Sequence, residues 1–341
     1  MAAPTVQAGL TAFIPKFWDR KLGDNLRPSL FFYDLGEMRT LPANFGNTIR
    51  IPRILKQPDA SPVIWAEGSE GAVTSTCPLS GEFISGTLKK FKGAYKHSDL
   101  VIMTALSDVM QLSIENISYA LAKQMDLHIR NSISGAGIGH WLLANSATHG
   151  ASFGGVSLAA VANTLRITDL IRAETILESR DNPRYPGTNK YAFVIHPRMK
   201  YDIQTPTSTT VGGWVEVNRY NNAEKLFNGE IGSLYGFKVV STTNAKLRYG
   251  LSATAAASGA EAYALAPRAY YVTELSEMSA RTYVKQLGSA GAADPTNDLA
   301  TVGAKVFFTA IPGGNKFTGS TSATEYRLLH VLGRTATAVT F

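Results

Sequence analysis

Two stretches of strand-like alternation, Thr48–Ile54 and Thr87–Tyr95, are separated by a segment that has no periodic pattern of its own. In the first, Ile49 and Ile51 flank Arg50; in the second, TLKKFKGAY, Leu88 and Phe91 sit among lysines. The intervening Leu55–Gly86 carries Pro58, Pro62, Gly68, Gly71, Pro78 and Gly81. Structureless loops beyond about 12–15 residues are uncommon inside a compact domain, so this pattern predicts an arm drawn out as a long two-stranded ribbon. A chain built this way projects part of itself away from its own core.

The strongest helical signal follows at once. In LSDVMQLSIENISYALAKQMDLHIRNSI, Ile114, Ile117, Leu121 and Met125 recur every three or four residues. Ser107 or Asp108 supplies an N-cap and Gly135 lies just past the end, which predicts a helix over Ser107–Ile133 about 40 Å long. His128 on this helix reads as a partly buried packing residue. The segment before the ribbon is different: residues 1–45 mix Phe13, Phe17, Trp18, Phe31, Phe32 and Tyr33 with prolines and charges and show no sustained period. Such a segment has apolar anchors but no core, and is expected to be pinned by a neighbouring subunit.

Beyond the helix, SGAGIGHWLLANSATHGASFGG reads as a small-residue connector, followed by a second helical stretch over Leu158–Arg180 with a break near Thr168, where Asp169 offers a new cap. Asp181, Asn182 and Pro183 end it. KYAFVIHP then reads as a buried strand with His196–Pro197 as its closing turn. The last hundred residues are strand-like over Glu261–Leu265, Ala269–Leu275, Arg281–Leu287, Thr301–Ile311 and Glu325–Leu332. A long helix followed by a mixed half ending in strands is an α+β pattern.

Composition narrows the setting. Charged residues make up 17% of the chain, against roughly 25% in an average soluble domain, as extensive burial between subunits would leave. The net charge of +7 permits sequence-independent contact with a polyanion, and equally describes an ordinary soluble surface. Cys77 is the one cysteine, so no intrachain disulfide forms, and the chain is suited to a reducing cytoplasm. The N-terminus lacks the basic start and apolar core of a signal peptide, and no apolar run approaches the ~20 residues a bilayer requires. Met1 leads to the expectation that no large N-terminal segment is removed.

The search for chemistry returns little. Gly150–Ala151–Ser152–Phe153–Gly154 fits G-x-S-x-G, but the preceding ANSATH is not the apolar strand that holds a nucleophile on a strained turn. A Gly/Ser/Ala-rich loop produces this pattern by chance, and a serine hydrolase using Ser152 is the remote alternative. Gly135, Gly137 and Gly139 miss the dinucleotide spacing, because His140 and Trp141 follow where glycine is required. His97, His128, His140, His149, His196 and His330 show no metal-ligand spacing. Asp294–Asp298, DPTND, lacks the glycine and distal glutamate of a calcium loop and reads as a capped turn. Lys89, Lys90, Lys92 and Lys96 suit an acidic partner surface, DNA, or simple edge protection, with nothing to choose among them. No catalytic residue, cofactor or metal site is expected.

Four segments carry a specific resemblance. YNNAEKLFNGEIGSLYGFKVVSTTNAK (Tyr220–Lys246) and VKQLGSAGAADPTNDLATVGAKVFFTA (Val284–Ala310) closely resemble the major capsid proteins of phages related to coliphage N-four. YAFVIHPRMKYDI (Tyr191–Ile203) and ITDLIRAETIL resemble the same family's strand-then-HP segment and its preceding helix, in the same order. GSLYGFKVVS is similar to a signature found more widely in capsid proteins of the Hong Kong 97-type fold; its Gly236 is expected to close a short helical turn before a buried strand of Phe237, Val239 and Val240.

The resemblance implies an α+β Hong Kong 97-type phage capsid fold: N-arm at 1–46, E-loop ribbon at 47–100, the spine helix of a peripheral domain at 101–135, an axial domain at 136–260, and strands returning to both domains at 261–341. It implies a subunit without enzymatic activity that self-assembles into hexamers and pentamers of an icosahedral phage head, within the virion, after synthesis in the bacterial cytoplasm. Implied partners are other copies, a portal, scaffolding or decoration proteins, and packaged double-stranded DNA held non-specifically, with no membrane. The alternative of the same fold is an encapsulin-like nanocompartment shell.

Overall fold

The computed structural model describes residues 31–54, 81–105, 108–135, 140–144, 149–150, 164–204, 215–216, 230–248, 259–276, 280–289, 294–313 and 327–334. Residues 1–30, the segment 55–80, Cys77, Ser107, Ser152 and the YNNAEKLFNG portion of the first resembling segment lie outside them.

The chain enters through one helical turn, α1 (Phe32–Leu35), and β1 (Glu37–Leu41). β2 (Thr48–Ile54) and β3 (Gly81–Thr87) form an antiparallel ribbon in register from Thr48↔Thr87 to Ile54↔Gly81. The ribbon exists as expected, but its second strand does not lie at Thr87–Tyr95. In an antiparallel pair each step beyond Thr87 would need a partner one step before Thr48, and there the chain turns away through Asn44 (φ 65°) and Gly46 (φ 85°). After the single residue Leu88, β4 (Lys89–Ser98) therefore leaves the ribbon and joins another sheet.

A short helix, α2 (Asp99–Thr104), precedes the spine, α3 (Val109–Ile133), of 25 residues. Asp108 caps α3, its carboxylate accepting from the N–H groups of Met110 (3.0 Å) and Gln111 (3.1 Å). Next come β5 (His140–Leu143), β6 (His149–Gly150), α4 (Ile167–Glu178), β7 (Tyr191–Ile195) and α5 (Pro197–Gln204). The stretch expected to be a connector thus contains two strands, β5 and the two-residue β6 that pairs with it. HWLL offers four side chains with no polar alternation beyond its first, and Trp141, Leu142 and Leu143 are buried. α4 begins where the break near Thr168 was expected; Asp169 acts from inside the first turn, accepting from the Arg166 N–H at 2.9 Å.

The remainder is β8 (Val215–Glu216), β9 (Glu230–Leu234), β10 (Phe237–Ser241), β11 (Leu247–Arg248), β12 (Gly259–Leu265), β13 (Tyr270–Leu275), β14 (Arg281–Lys285), β15 (Leu299–Pro312) and β16 (Leu328–Arg334). The expected helical turn before Gly236 is a hairpin instead. β9 pairs with β10 across Tyr235–Gly236, with Tyr235 taking the positive φ of 50°.

Two larger sheets result. A nine-stranded mixed sheet runs β6-β5-β16-β12-β7-β10-β9-β8, with β11 alongside β12. Its central strands are buried on both faces, which explains why YAFVI reads as one apolar run. One face packs Tyr191, Phe193, Ala262 and Val331 against Leu170, Ala173 and Leu177 of α4. The opposite face turns Val194, Tyr263 and Leu265 toward Ile129 and Ile133 at the end of α3. The second sheet runs β1-β13-β15-β14 with β4 on β15. Along β15 burial alternates strictly at first, and Val302, Ala304, Val306 and Phe308 face Ile117, Met125 and Ile129 of α3. The spine helix is therefore shared by both sheets.

Candidate functional site

Among the described residues no group of three or more His, Cys, Asp or Glu side chains is close enough to hold a metal ion. Of the G-x-S-x-G match only Gly150 is described, in β6, and Ser152 lies outside the described residues. A serine–histidine contact exists elsewhere: His97 Nε2 on β4 lies 2.7 Å from Ser113 Oγ on α3. It straps strand to helix at a half-buried position. Asp294 of the DPTND turn accepts from the backbone N–H of Asp298 (3.2 Å) and Leu299 (2.8 Å), which is the capped turn expected. His128 packs between Phe91 and Phe308, centroids 4.9 and 5.3 Å away, and burial lowers its pKa.

His330 and Glu261 were scattered in sequence and are paired in space. His330 Nδ1 lies 2.8 Å from Glu261 Oε1, both side chains fully buried. Ser134, at the end of α3, donates to Glu261 (3.0 Å) and contacts the Tyr263 hydroxyl (2.7 Å), while Trp141 stacks on the imidazole at 4.1 Å. Cross-strand register brings these residues together, which no local spacing signals. The cluster joins the spine helix to the nine-stranded sheet and reaches no solvent.

The other features expected from the sequence are the arm and the ribbon. The arm is pinned by its own chain from Phe31 onward, where a neighbour was expected. Phe32 is fully buried edge-on to Tyr263 (5.3 Å), and the Tyr270 hydroxyl donates to its carbonyl. The backbone N–H groups of Phe31, Phe32 and Tyr33 converge on the buried Asp126 of α3, whose carboxyl burial pushes up and these bonds pull down. Tyr33 donates its hydroxyl to Glu274 at 2.6 Å. β1 then continues the second sheet, parallel to β13.

The ribbon stands on β15. A Cβ at Gly86 would lie 2.5 Å from Ile311 Cδ1, so the ribbon's foot rests against the sheet face opposite α3. Away from the foot, Phe83 is 70% exposed; Leu100 and Met103 of α2 are 67% and 76% exposed, and Phe45 beside the ribbon is 76% exposed. Large apolar side chains displayed this way mark contact surfaces when they cluster.

On the sheet face that carries the ribbon, β4, β15 and β14 contribute Lys90, Lys92, Lys96, Lys305, Arg281 and Lys285. Their register sets Lys92 beside Lys305 and Lys305 beside Arg281. Lys90 lies over Phe307 (5.6 Å) and Lys305 over Tyr283 (4.8 Å).

No family model matches the chain, and no curated protein matches its sequence. Solved structures do match. The capsid of Ralstonia phage GP4 superimposes with a TM-score of 0.66 at 14% identity, covering 98% of this chain and 99% of that one. The capsid of cyanophage P-SCSP1u gives 0.64 at 13% identity over 96% and 95%, and the capsid of cyanophage Pam1 gives 0.63 at 12% over 98% and 100%. Over almost its whole length, this chain has the α+β fold of phage capsid proteins, the Hong Kong 97-type fold expected from its sequence.

Proposed function

We propose that this chain is the major capsid protein of a tailed bacteriophage, of the group related to coliphage N-four, and acts as a shell subunit without enzymatic activity. The observation that carries the reading is the mutual coverage of 98% and 99% with a phage capsid. The His97–Ser113 and His330–Glu261 contacts agree with it, because each fastens one element to another. In this reading copies form hexamers and pentamers, with arm and ribbon reaching over neighbours and many modest contacts combining through closed symmetry. A portal, scaffolding or decoration proteins and non-specifically held double-stranded DNA complete the head, which assembles in the host cytoplasm. N-arm, E-loop, peripheral and axial domains take the boundaries 1–46, 47–100, 101–135 and 136–260, with 261–341 returning to both domains.

Expression of the full chain followed by electron microscopy tests this directly. Closed shells are expected, and removing residues 1–40 or shortening 55–86 is expected to leave soluble subunits that form none. A full-length chain that stays monomeric at high concentration overturns the proposal. The contents of particles from the natural source separate a genome container from an enzyme-filled compartment.

A further inference from the structure

We infer that the basic face of β4, β15 and β14 is a binding site for the phosphate backbone of nucleic acid. The inference rests on the shell-subunit reading, in which DNA is enclosed, and gives that nucleic acid a surface on the subunit. Val302, Ala304, Val306 and Phe308 face the spine helix, so Lys305 and its cross-strand partners Lys92 and Arg281 stand together on the opposite face. Further along the strands Lys96 and Lys285 flank Thr301 on that same face, and Lys90 lies over Phe307. The three strands contain no Asp or Glu. Among the described residues no carboxylate pairs with Lys90, Lys92, Lys96, Lys285 or Lys305. Neighbouring strands are about 4.8 Å apart, so like charges sit side by side, an arrangement that an external anion relieves.

Shape agrees with charge. The row of Lys92, Lys305 and Arg281 and the row of Lys96 and Lys285 are about 13 Å apart, four residues along each strand. Between them Ala94 pairs with Gly303, and a Cβ on Gly303 would meet nothing nearer than the Gly93 carbonyl oxygen at 3.5 Å. The two rows are thus the walls of a shallow furrow that crosses the strands. Tyr283 lies at its β14 end, with Lys305 Nζ 4.8 Å from the ring centre.

Charge density selects the partner. Each strand of a duplex carries a phosphate per about 3.4 Å of axis, and three sheet strands span about 10 Å, so a backbone in the furrow sets about three phosphates between the walls. An acidic protein would have to crowd carboxylates at that spacing against their own repulsion, whereas a phosphodiester chain holds its charges there covalently. The three strands contain no Asn or Gln to read base edges, so binding is independent of sequence.

The test uses the full-length chain and reads the anisotropy of a labelled, mixed-sequence DNA duplex between about 50 and 200 mM sodium chloride. Lys92→Gln/Lys96→Gln/Lys285→Gln is expected to weaken binding about tenfold, and to lower the slope of log affinity against log salt by about three. Lys123→Gln/Arg180→Gln/Lys200→Gln removes the same charge elsewhere and is expected to stay within about twofold of the native chain. Circular dichroism establishes that each variant folds. Should the first set fail, Lys96→Gln alone, at an exposed position, is expected to lower the slope by about one. Duplex bound more tightly than single-stranded RNA identifies DNA as the source of the phosphates, and the reverse identifies RNA; either supports the site. An equal loss in the control set overturns the inference, as does duplex affinity untouched by the face set. Poly-glutamate that competes as well as duplex at equal charge assigns the face to an acidic protein and also overturns it. A chain that forms shells but fails here loses only this inference; one that binds duplex and forms no shells refutes the proposed function alone.

Discussion

Asn244 donates its side-chain amide to Asp126 at 2.7 Å, and its main-chain carbonyl accepts from Arg130 at 2.8 Å, one turn further along the spine helix. Asp126 also receives the entering arm at Tyr33 N–H (3.2 Å), so one buried carboxylate ties the arm, the helix and the 242–246 turn together. Replacing it strands several buried donors at once. Asp126→Ala is expected to cost about 3 kcal/mol, and Asp126→Asn, which keeps one acceptor, about half that. Urea unfolding of the subunit measures both; a loss below about 0.5 kcal/mol for the alanine variant would show that the junction is not held this way.

The ribbon's foot makes a second prediction. Gly86→Ala places a methyl group against the buried Ile311, and is expected to cost about 1–3 kcal/mol with the native isoleucine. In an Ile311→Ala background the same change should cost almost nothing, because the space is then available. Equal costs in the two backgrounds would contradict the packing described.

His196 gives the chain a pH dependence. It is buried at the end of β7, and its Nδ1 accepts from the Arg198 N–H at 3.2 Å, an N-cap for α5 that needs the neutral ring. Burial, aided by the charge of Arg198, lowers its pKa to about 4. The unfolded chain takes up its proton near pH 6.5 and the folded chain only near 4, so this contribution to stability is complete above 6.5 and is lost as pH falls toward 4. Denaturant midpoints across this window should fall less steeply for His196→Asn, which keeps a capping oxygen and cannot titrate. Identical slopes would exclude His196 as the source.

Trp141 is fully buried and lies flat on His330 at 4.1 Å. Trp141→Ala is expected to cost about 3–5 kcal/mol, in the range of large core truncations. Trp141→Phe, which retains a ring to cover the imidazole, should recover more than half. Thermal unfolding distinguishes these; an alanine variant as stable as wild type would mean that β5 contributes little to the sheet.

Local pattern and long-range register were not equally legible. The spine helix was readable because Ile114, Ile117, Leu121 and Met125 mark its face and Asp108 caps it, all within a few residues. The terminal strands were readable because β15 alternates where it meets α3. The partner of Thr48–Ile54 was misplaced because GEFISGT and TLKKFKGAY both look strand-like, and only the turn at Asn44–Gly46 decides which can pair. HWLL was missed because a four-residue strand inside a glycine-rich stretch has no period to detect. The basic face was half visible: the lysines of β4 stood out, but Lys305 and Arg281 join them only through a register that links positions two hundred residues apart in the chain.

The single residue Leu88 between ribbon and sheet has a mechanical consequence. Its N–H bonds to Asn47 O at 2.8 Å, so no slack separates β3 from β4. Tension on the ribbon, such as pressure from within a closed shell would generate, passes along the backbone into the pairing of β4 with β15, which runs from Lys89↔Phe308 to Ser98↔Leu299. Pulled along its strands, that ladder is loaded in shear, with its hydrogen bonds strained together; pulled across them, it would open one bond at a time.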